Sequence, residues 1–161
     1  MSEADPYDLG RFVAAQDAGG TFPRALAELR AGRKCGHWMW VIFPQIAGLG
    51  FSAMSRRYAI RSLSEARAYL AHPVLGTRLA ECARTLTRVS GSDVGPRAAE
   101  RIFGDIDATK LRSSMTLFAR ADPSEPVFGR VLDLYFNGQA DPLTDRAVAG
   151  ADDTDFTSLL P

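Results

Sequence analysis

The spacing of the apolar residues constrains the fold of this chain more than any other feature. Steps of three and four residues recur, and they are clearest at Leu75, Leu79, Cys82, Ala83 and Leu86. Such spacing is typical of an amphipathic helix. Glycines and prolines interrupt the apolar segments at short intervals, and no run alternates convincingly enough to form a sheet. The sequence therefore predicts an all-α fold, an irregular multihelical single domain of about six to eight helices.

Local signals mark where several helices begin and end. Ser62 followed by Glu65 fits a capping box at a helix start, and Gly32 is a typical residue just past a helix end. Gly104 should end a short helix that begins at Pro96. These signals predict short helices joined by tight connections.

The chain of 161 residues is long enough for one domain with a single core. Residues 1–144 read as that helical domain. After residue 144 the sequence becomes acidic and poor in large apolar groups until Phe156. We expect residues 145–161 to form a loosely docked C-terminal tail.

Charge and composition exclude several classes of partner. Nineteen basic and nineteen acidic residues cancel, so no overall field favours binding to nucleic acid or to an anionic membrane. The longest apolar run, residues 38–43, is too short to span a bilayer, and the N-terminus lacks a signal-peptide pattern. We expect a cytoplasmic protein. Cys35 and His37 are too few ligands for a zinc site, so no metal or other cofactor is predicted.

One connection between helical segments, residues 32–52, carries an unusual mixture of side chains. It contains both tryptophans, one of two histidines and one of two lysines. Flat aromatic rings beside ionisable groups indicate a ligand site. The candidate ligand-binding residues here are Trp38, Trp40, Gln45, Gly48, Gly50 and Ser52. The glycines could let a phosphate approach the backbone, but a plain turn before a helix capped by Ser52 or Ser55 explains them better.

The two lysines stand out because the other seventeen basic residues are arginines. Lysine can lose its proton when buried and attack a carbonyl or anomeric carbon, whereas arginine cannot. Lys34 is therefore a candidate nucleophile, although the two positions could also be chance. Without a structural role, Lys34→Ala should leave stability nearly unchanged.

A second polar stretch, residues 103–118, surrounds a buried helical face. Asp107 is a natural N-cap, and Lys110, Ser113 and Ser114 add polar groups that lower helix propensity. A capped, partly solvated helix would also account for them. We nevertheless expect the two polar stretches to form one pocket, in which His37 and Lys34 face Asp107 or Lys110.

Several of these segments resemble a known family. The chain is similar, over about residues 12–144, to the bacterial domain of unknown function 1810 family, whose members often carry the automatic label calpastatin. The resemblance implies an all-α cytoplasmic domain without an established activity, and a compact apolar sequence does not fit the disordered inhibitory segments of calpastatin. It rests on His37-Trp38-Met39-Trp40-x-Ile42-Phe43-Pro44-Gln45, Gly48-Leu49-Gly50-x-Ser52, Glu65-Ala66-x-x-Tyr69-Leu70-x-His72-Pro73 and Lys110-Leu111-x-Ser113-Ser114-Met115-Thr116-Leu117-Phe118.

The order of Glu28, Lys34, an aromatic stretch and then Asp107 and Met115 also resembles the NADAR family of N-glycosidases. That resemblance implies a ribose-nucleotide or ADP-ribosyl substrate. It implies Lys34 as nucleophile or electrostatic partner, with Asp107 or Glu28 as acid and base. Trp38 or Trp40 would then stack on the base. Ser113, Ser114 and the backbone of the loop with Gly48 and Gly50 would bind phosphate.

Two classes of function follow from these patterns. The first is a small enzyme that cleaves an N-glycosidic bond, with Lys34, Asp107, His37 and Glu28 as candidate catalytic residues. The second is a non-catalytic module that binds a small molecule or a protein through a surface formed by Trp38 and Trp40. An exposed, flat arrangement of the two rings would favour the module.

Overall fold

The chain folds into helices joined by short connections. The computed structural model describes residues 4–88, 93–150 and 155–156. The described ranges contain no strand, and seven of their helices have eight or more residues, which confirms the all-α prediction. The helices are α1 (Gly10–Asp17), α2 (Thr21–Ala31), α3 (Met39–Ile42), α4 (Ala53–Arg57), α5 (Leu63–Ala71), α6 (Leu75–Thr87), α7 (Pro96–Ala121), α8 (Val127–Phe136) and α9 (Pro142–Ala149).

A row of aromatic rings runs through the centre of the core. Phe12 of α1 contacts Tyr69 of α5 edge to face, with ring centroids 5.1 Å apart. Phe118 of α7 lies 5.4 Å from Tyr69 and 5.9 Å from Phe128 of α8. All four side chains are buried. Because aromatic pairs bury large areas and favour tilted geometries, this row ties four helices into one core.

The predicted helix ends are largely present. The hydroxyl of Ser62 accepts a hydrogen bond from the backbone N–H of Glu65 at the start of α5, as the capping box predicts. Gly32 follows α2 in the left-handed conformation. Gly104 ends the first helical segment of α7 as predicted, because its φ of 80° and ψ of 165° are not helical, and a second segment continues after this kink. A side chain is strained at that positive φ, so glycine permits the kink.

Buried hydrogen bonds hold the short helix α3 in place. The side-chain amide of Gln16 donates to the backbone carbonyl of Val41 at 2.8 Å and to the hydroxyl of Tyr69 at 3.2 Å. Its oxygen accepts from Arg78 of α6. An isolated parallel bridge joins Ile46 to Ile60 beyond α3. A buried amide with partners on several elements fixes their relative positions, and α3 carries both Met39 and Trp40.

The predicted tail is partly wrong. The boundary at residue 144 lies inside α9, whose Thr144 and Ala147 are buried. Phe156 is fully buried, and its backbone N–H donates to the carbonyl of Arg61 at 2.7 Å. The apolar side chain of Phe156 therefore anchors the described part of the segment to the domain. Residues 151–154 and 157–161 lie outside the described residues, as do residues 1–3 and 89–92.

None of the helices in the described ranges has the length and apolar character needed to cross a lipid bilayer.

Candidate functional site

The centre of the candidate site is an ion pair between the two polar stretches. The ammonium Nζ of Lys34 lies 2.9 Å from Oδ2 of Asp107. Lys34 follows α2, where its backbone N–H donates to the carbonyl of Ile102 on α7. Asp107 lies in the first turn after the Gly104 kink and within α7, so it is not the N-cap that the sequence predicts. The predicted convergence of the two stretches is confirmed.

Three kinds of group surround the ammonium of Lys34. Besides Asp107, the backbone carbonyl of Gly36 accepts a hydrogen bond from Nζ, and the ring of Trp38 lies with its centroid 5.0 Å from that atom. Only 8% of the Lys34 side chain is exposed. A buried ammonium that contacts a carboxylate, a carbonyl and an aromatic face contributes to stability, because its removal leaves these groups without their partner. The expectation that Lys34→Ala leaves stability unchanged is therefore revised.

A second lysine repeats this arrangement on the other side of the carboxylate. Nζ of Lys110 lies 3.5 Å from Oδ1 of Asp107 and 4.9 Å from the ring centroid of Trp40. The indole N–H of Trp40 donates to the hydroxyl of Ser55 at 3.1 Å. Each oxygen of Asp107 thus faces one lysine, and each lysine faces one tryptophan. The site is preorganised, because both rings and the carboxylate are fixed by more than one partner.

Glu28, predicted as a catalytic residue, forms hydrogen bonds to the loop after α2. Its Oε1 accepts hydrogen bonds from the backbone N–H groups of Cys35 and Gly36 at 2.6 and 2.8 Å and from the indole of Trp38 at 3.0 Å. Burial alone would raise the pKa of Glu28, but these hydrogen bonds outweigh it and lower that pKa below its ordinary value. One oxygen with three donors anchors the loop after α2.

Trp38 is packed into the core and does not form a binding surface. Its side chain is 3% exposed, and its ring lies 6.3 Å from that of Phe43. A Cβ added to Gly36 would lie 2.8 Å from Cδ1 of Trp38, so the ring occupies the space that only glycine leaves. The burial of this ring, whose indole N–H donates to Glu28, does not favour the predicted stacking on a ligand, which stays a prediction. Trp40 is only half-buried.

An open cavity of about 370 Å³ lies beside the ion pair, and we call it the ion-pair cavity. The exposed side chain of His37 lies on its wall, as predicted, together with Trp40. Asp105 and Ile106 were not identified as site residues from the sequence. Their position directly after Gly104, a glycine that the sequence marks as a helix end and that also lines the cavity, is the signal that could have found them. The full lining is Lys34, His37, Met39, Trp40, Phe103, Gly104, Asp105, Ile106 and Asp107.

The loop between α3 and α4 lines a narrow crevice and does not form a phosphate cradle. Gln45 and Gly50 line this crevice of about 10 Å³ with Trp40, Ser55, Tyr58 and Lys110, and we call it the Trp40 crevice. That volume holds roughly one water. Ser52 caps α4, and its hydroxyl forms a hydrogen bond with the hydroxyl of Ser55. A Cβ on Gly50 would lie 2.5 Å from the Cβ of Ser55, so the close packing of this turn requires glycine. Gly48 has a positive φ of 98°. The alternative of a turn before a capped helix is therefore correct.

Ser113 and Ser114 do not reach the cavity. Both are buried, at 3% and 0% exposure. The hydroxyl of Ser113 bonds to the carboxylate of Asp141, which caps α9. The hydroxyl of Ser114 has no hydrogen-bond partner within the described residues. Their burial does not favour the predicted role in ligand binding, which stays a prediction.

In the described part of the chain, no group of three or more His, Cys, Asp or Glu side chains could hold a metal ion. The side chains that line the cavity supply two carboxylates, one ammonium group, an imidazole and two aromatic rings, and a second ammonium, that of Lys110, contacts Asp107 from outside this lining.

The fold and the site define a small all-α protein with a lysine and an aspartate paired at the wall of an open cavity. The chain belongs to the family described as Protein of unknown function (DUF1810), whose profile matches residues 6–148. It is also similar to the crystal structure of the conserved hypothetical protein Rv1873 from Mycobacterium tuberculosis. The identity is 48%, the match covers 90% of this chain and 99% of that chain, and the TM-score is 0.83. Among curated proteins, none matches the chain.

These comparisons confirm the first resemblance seen in the sequence. Neither the family nor the solved structure carries a described activity, so the resemblance to NADAR N-glycosidases gains no support from them.

Proposed function

We propose that the ion-pair cavity binds a ribose nucleotide or an ADP-ribosyl derivative and hydrolyses its N-glycosidic bond. The observation that carries the proposal is the contact of 2.9 Å between Lys34 and Asp107 at the wall of a cavity that also holds His37 and Trp40. A carboxylate with both oxygens held by lysines has a fixed orientation. A carboxylate in a fixed orientation at the cavity wall can position and deprotonate the water that attacks the ribosyl ring.

The geometry supports hydrolysis by water better than attack by Lys34. Nζ of Lys34 is already engaged by Asp107, by the carbonyl of Gly36 and by the ring of Trp38. In the proposed reaction a water oxygen attacks the anomeric carbon and the bond to the base nitrogen breaks, with its electron pair leaving on the base. Asp107 takes the proton of the water, and His37 supplies a proton to the leaving nitrogen.

Trp40 fits the role of a base-stacking residue. Its ring lines the ion-pair cavity, and its indole N–H is bound to Ser55, which fixes the orientation of the ring. A fixed flat ring binds a planar base at a low entropic cost.

The test is a screen of purine and pyrimidine nucleosides, nucleotides and ADP-ribose conjugates, with the released base quantified by chromatography. Asp107→Asn should abolish release, and His37→Gln should reduce it about 10²-fold or more. Asp133→Asn on the exposed face of α8 is the control. Lys34→Arg keeps a charge at the ion pair and should retain part of the activity. A borohydride-trapped adduct on Lys34 would instead support covalent attack.

A second candidate is a non-catalytic binding module, and one observation favours it. Ile106 is 69% exposed on the wall of the same cavity, beside the half-buried Trp40. An exposed apolar residue beside an aromatic ring is typical of a binding surface. The surface would therefore use Trp40 and Ile106 in place of Trp38. If no substrate in the screen releases a base but Ile106→Asp abolishes binding of a ligand that shifts the melting temperature, the module is supported.

A further inference from the structure

The ion-pair cavity is the first in a row of neighbouring concavities that share lining residues. Met39 and Trp40 line both the ion-pair cavity and the Trp40 crevice. Gly50 and Ser55 line both that crevice and a concavity of about 420 Å³. Arg61 lines this concavity and a further one of about 750 Å³. The row therefore runs from the Lys34–Asp107 pair past Trp40 to the ends of α4 and α5.

Three exposed arginines lie at the far end of this row. Arg56 and Arg61 line the concavity of about 420 Å³, and Arg57 and Arg61 line that of about 750 Å³. We call these two concavities the arginine groove. Within the described residues none of the three arginines forms an ion pair. Guanidinium groups without a carboxylate partner are available to bind an anion.

The other charged groups of the arginine groove do not cancel these arginines. Arg11 is engaged by Glu65 at 3.0 Å and by backbone carbonyls, among them those of Arg57 and Ala59. That pair is neutral overall. Asp8 and Asp155 also line the groove, so three arginines face two carboxylates. Among the described residues the lining of the groove has a positive excess, even though the whole chain has a net charge of zero.

An exposed aromatic ring lies in the same groove. The side chain of Phe51 is 79% exposed and lines the concavity with Arg56 and Arg61. A large apolar ring beside arginines indicates an organic ligand that carries an anionic group, because a simple ion would leave the ring in water.

We infer that Arg56, Arg57 and Arg61 form an anion subsite for the phosphate of an elongated ligand that crosses the surface above the Trp40 crevice and reaches the ion-pair cavity with its other end. The inference rests on the proposed function and narrows its substrate class to phosphorylated compounds. It also replaces the predicted phosphate contacts, because Ser113 and Ser114 are buried and the hydroxyl of Ser52 caps α4. Arginine is suited to this task since its planar guanidinium binds phosphate oxygens in pairs.

The experiment compares adenosine 5′-monophosphate with adenosine by isothermal titration calorimetry on the full chain. The wild type should bind the monophosphate at least about tenfold more tightly, since hydrogen bonds to charged groups contribute more than neutral ones. The double variant Arg56→Gln/Arg61→Gln should lose this preference and keep its affinity for adenosine. The control Arg130→Gln changes an exposed arginine of α8 that lines none of these concavities. This variant should keep the preference for the monophosphate.

Two results overturn the inference without deciding the proposed function. Equal affinities of the wild type for both ligands, or no binding of the monophosphate, would show that the groove is not a phosphate subsite. A preference that survives in the double variant but disappears in Lys110→Gln would place the phosphate at the ion-pair cavity instead. In either case release of a base from a nucleoside can still be measured separately. Circular dichroism of each variant confirms that a lost preference reflects the missing guanidinium groups.

Discussion

The carboxylate of Glu28 accepts the indole N–H of Trp38 at 3.0 Å, and the same oxygen accepts two backbone N–H groups of the loop between them. This contact turns Trp38 into the core and sets the path of the loop that carries Lys34. The ammonium of Lys34 then lies above the Trp38 ring and against Asp107. The candidate site therefore depends on a carboxylate that does not line its cavity.

Replacing Glu28 by Gln should reduce the free energy of unfolding by about 1–3 kcal/mol at pH 7, because hydrogen bonds to an ionised acceptor are lost. The effect should depend on pH. The folded-state pKa of Glu28 lies below its ordinary value of 4.5, so its contribution is present above that pH and is lost as the pH falls through the folded value. Urea denaturation of both proteins from pH 7 downward measures this. A difference that stays constant over that range would contradict the assigned role.

Gly36→Ala should destabilise the protein by about 1–3 kcal/mol, since the added methyl meets the ring of Trp38 at 2.8 Å. Gly129→Ala on α8 is the matched control. A Cβ at Gly129 meets nothing within 4 Å, and alanine favours a helix over glycine by roughly 0.5–1 kcal/mol. Thermal unfolding of the two variants should therefore shift in opposite directions. A neutral Gly36→Ala would mean that the loop can move away from Trp38.

Removing the two lysines should have unequal effects on stability. Lys34→Ala should cost about 1–3 kcal/mol, because it leaves the carbonyl of Gly36 and one oxygen of Asp107 without their buried partner. Lys110→Ala should cost less than about 1 kcal/mol, since its side chain is 22% exposed and the contact is 3.5 Å. Chemical denaturation of each variant, alone and combined with Asp107→Asn, gives both coupling energies. A larger loss of stability for Lys110→Ala than for Lys34→Ala would mean that Lys110 is the main partner of Asp107.

Phe156→Ala should reduce the free energy of unfolding by about 3–5 kcal/mol, as expected for the truncation of a fully buried ring. Phe51→Ala removes the same side chain from a position that is 79% exposed and should change stability by less than about 0.5 kcal/mol. Differential scanning calorimetry separates the two cases. If both variants melt like the wild type, Phe156 does not anchor the chain.

The short-range features of this protein could be predicted from the sequence. The cap of α5 by Ser62, the end of α2 at Gly32 and the irregularity at Gly104 depend on backbone sterics and on hydrogen bonds within a few residues. The meeting of Lys34 with Asp107 was also predicted, because two unusual polar stretches in one small domain are more simply explained as one site. No pattern of spacing, however, indicated which side chains of those stretches face the cavity.

The tertiary structure decided those directions. Trp38 and Trp40 are two positions apart, yet one is held inward by Glu28 and the other remains on the cavity wall through Ser55. Ser114 lies beyond Lys110 on the same helix but is covered by packing, and Phe156 is buried against the domain despite its acidic surroundings. The sequence by itself determined the helical class and the polar stretches, since those depend on local preference and composition. Burial depends on contacts between distant segments, which only the packed chain specifies.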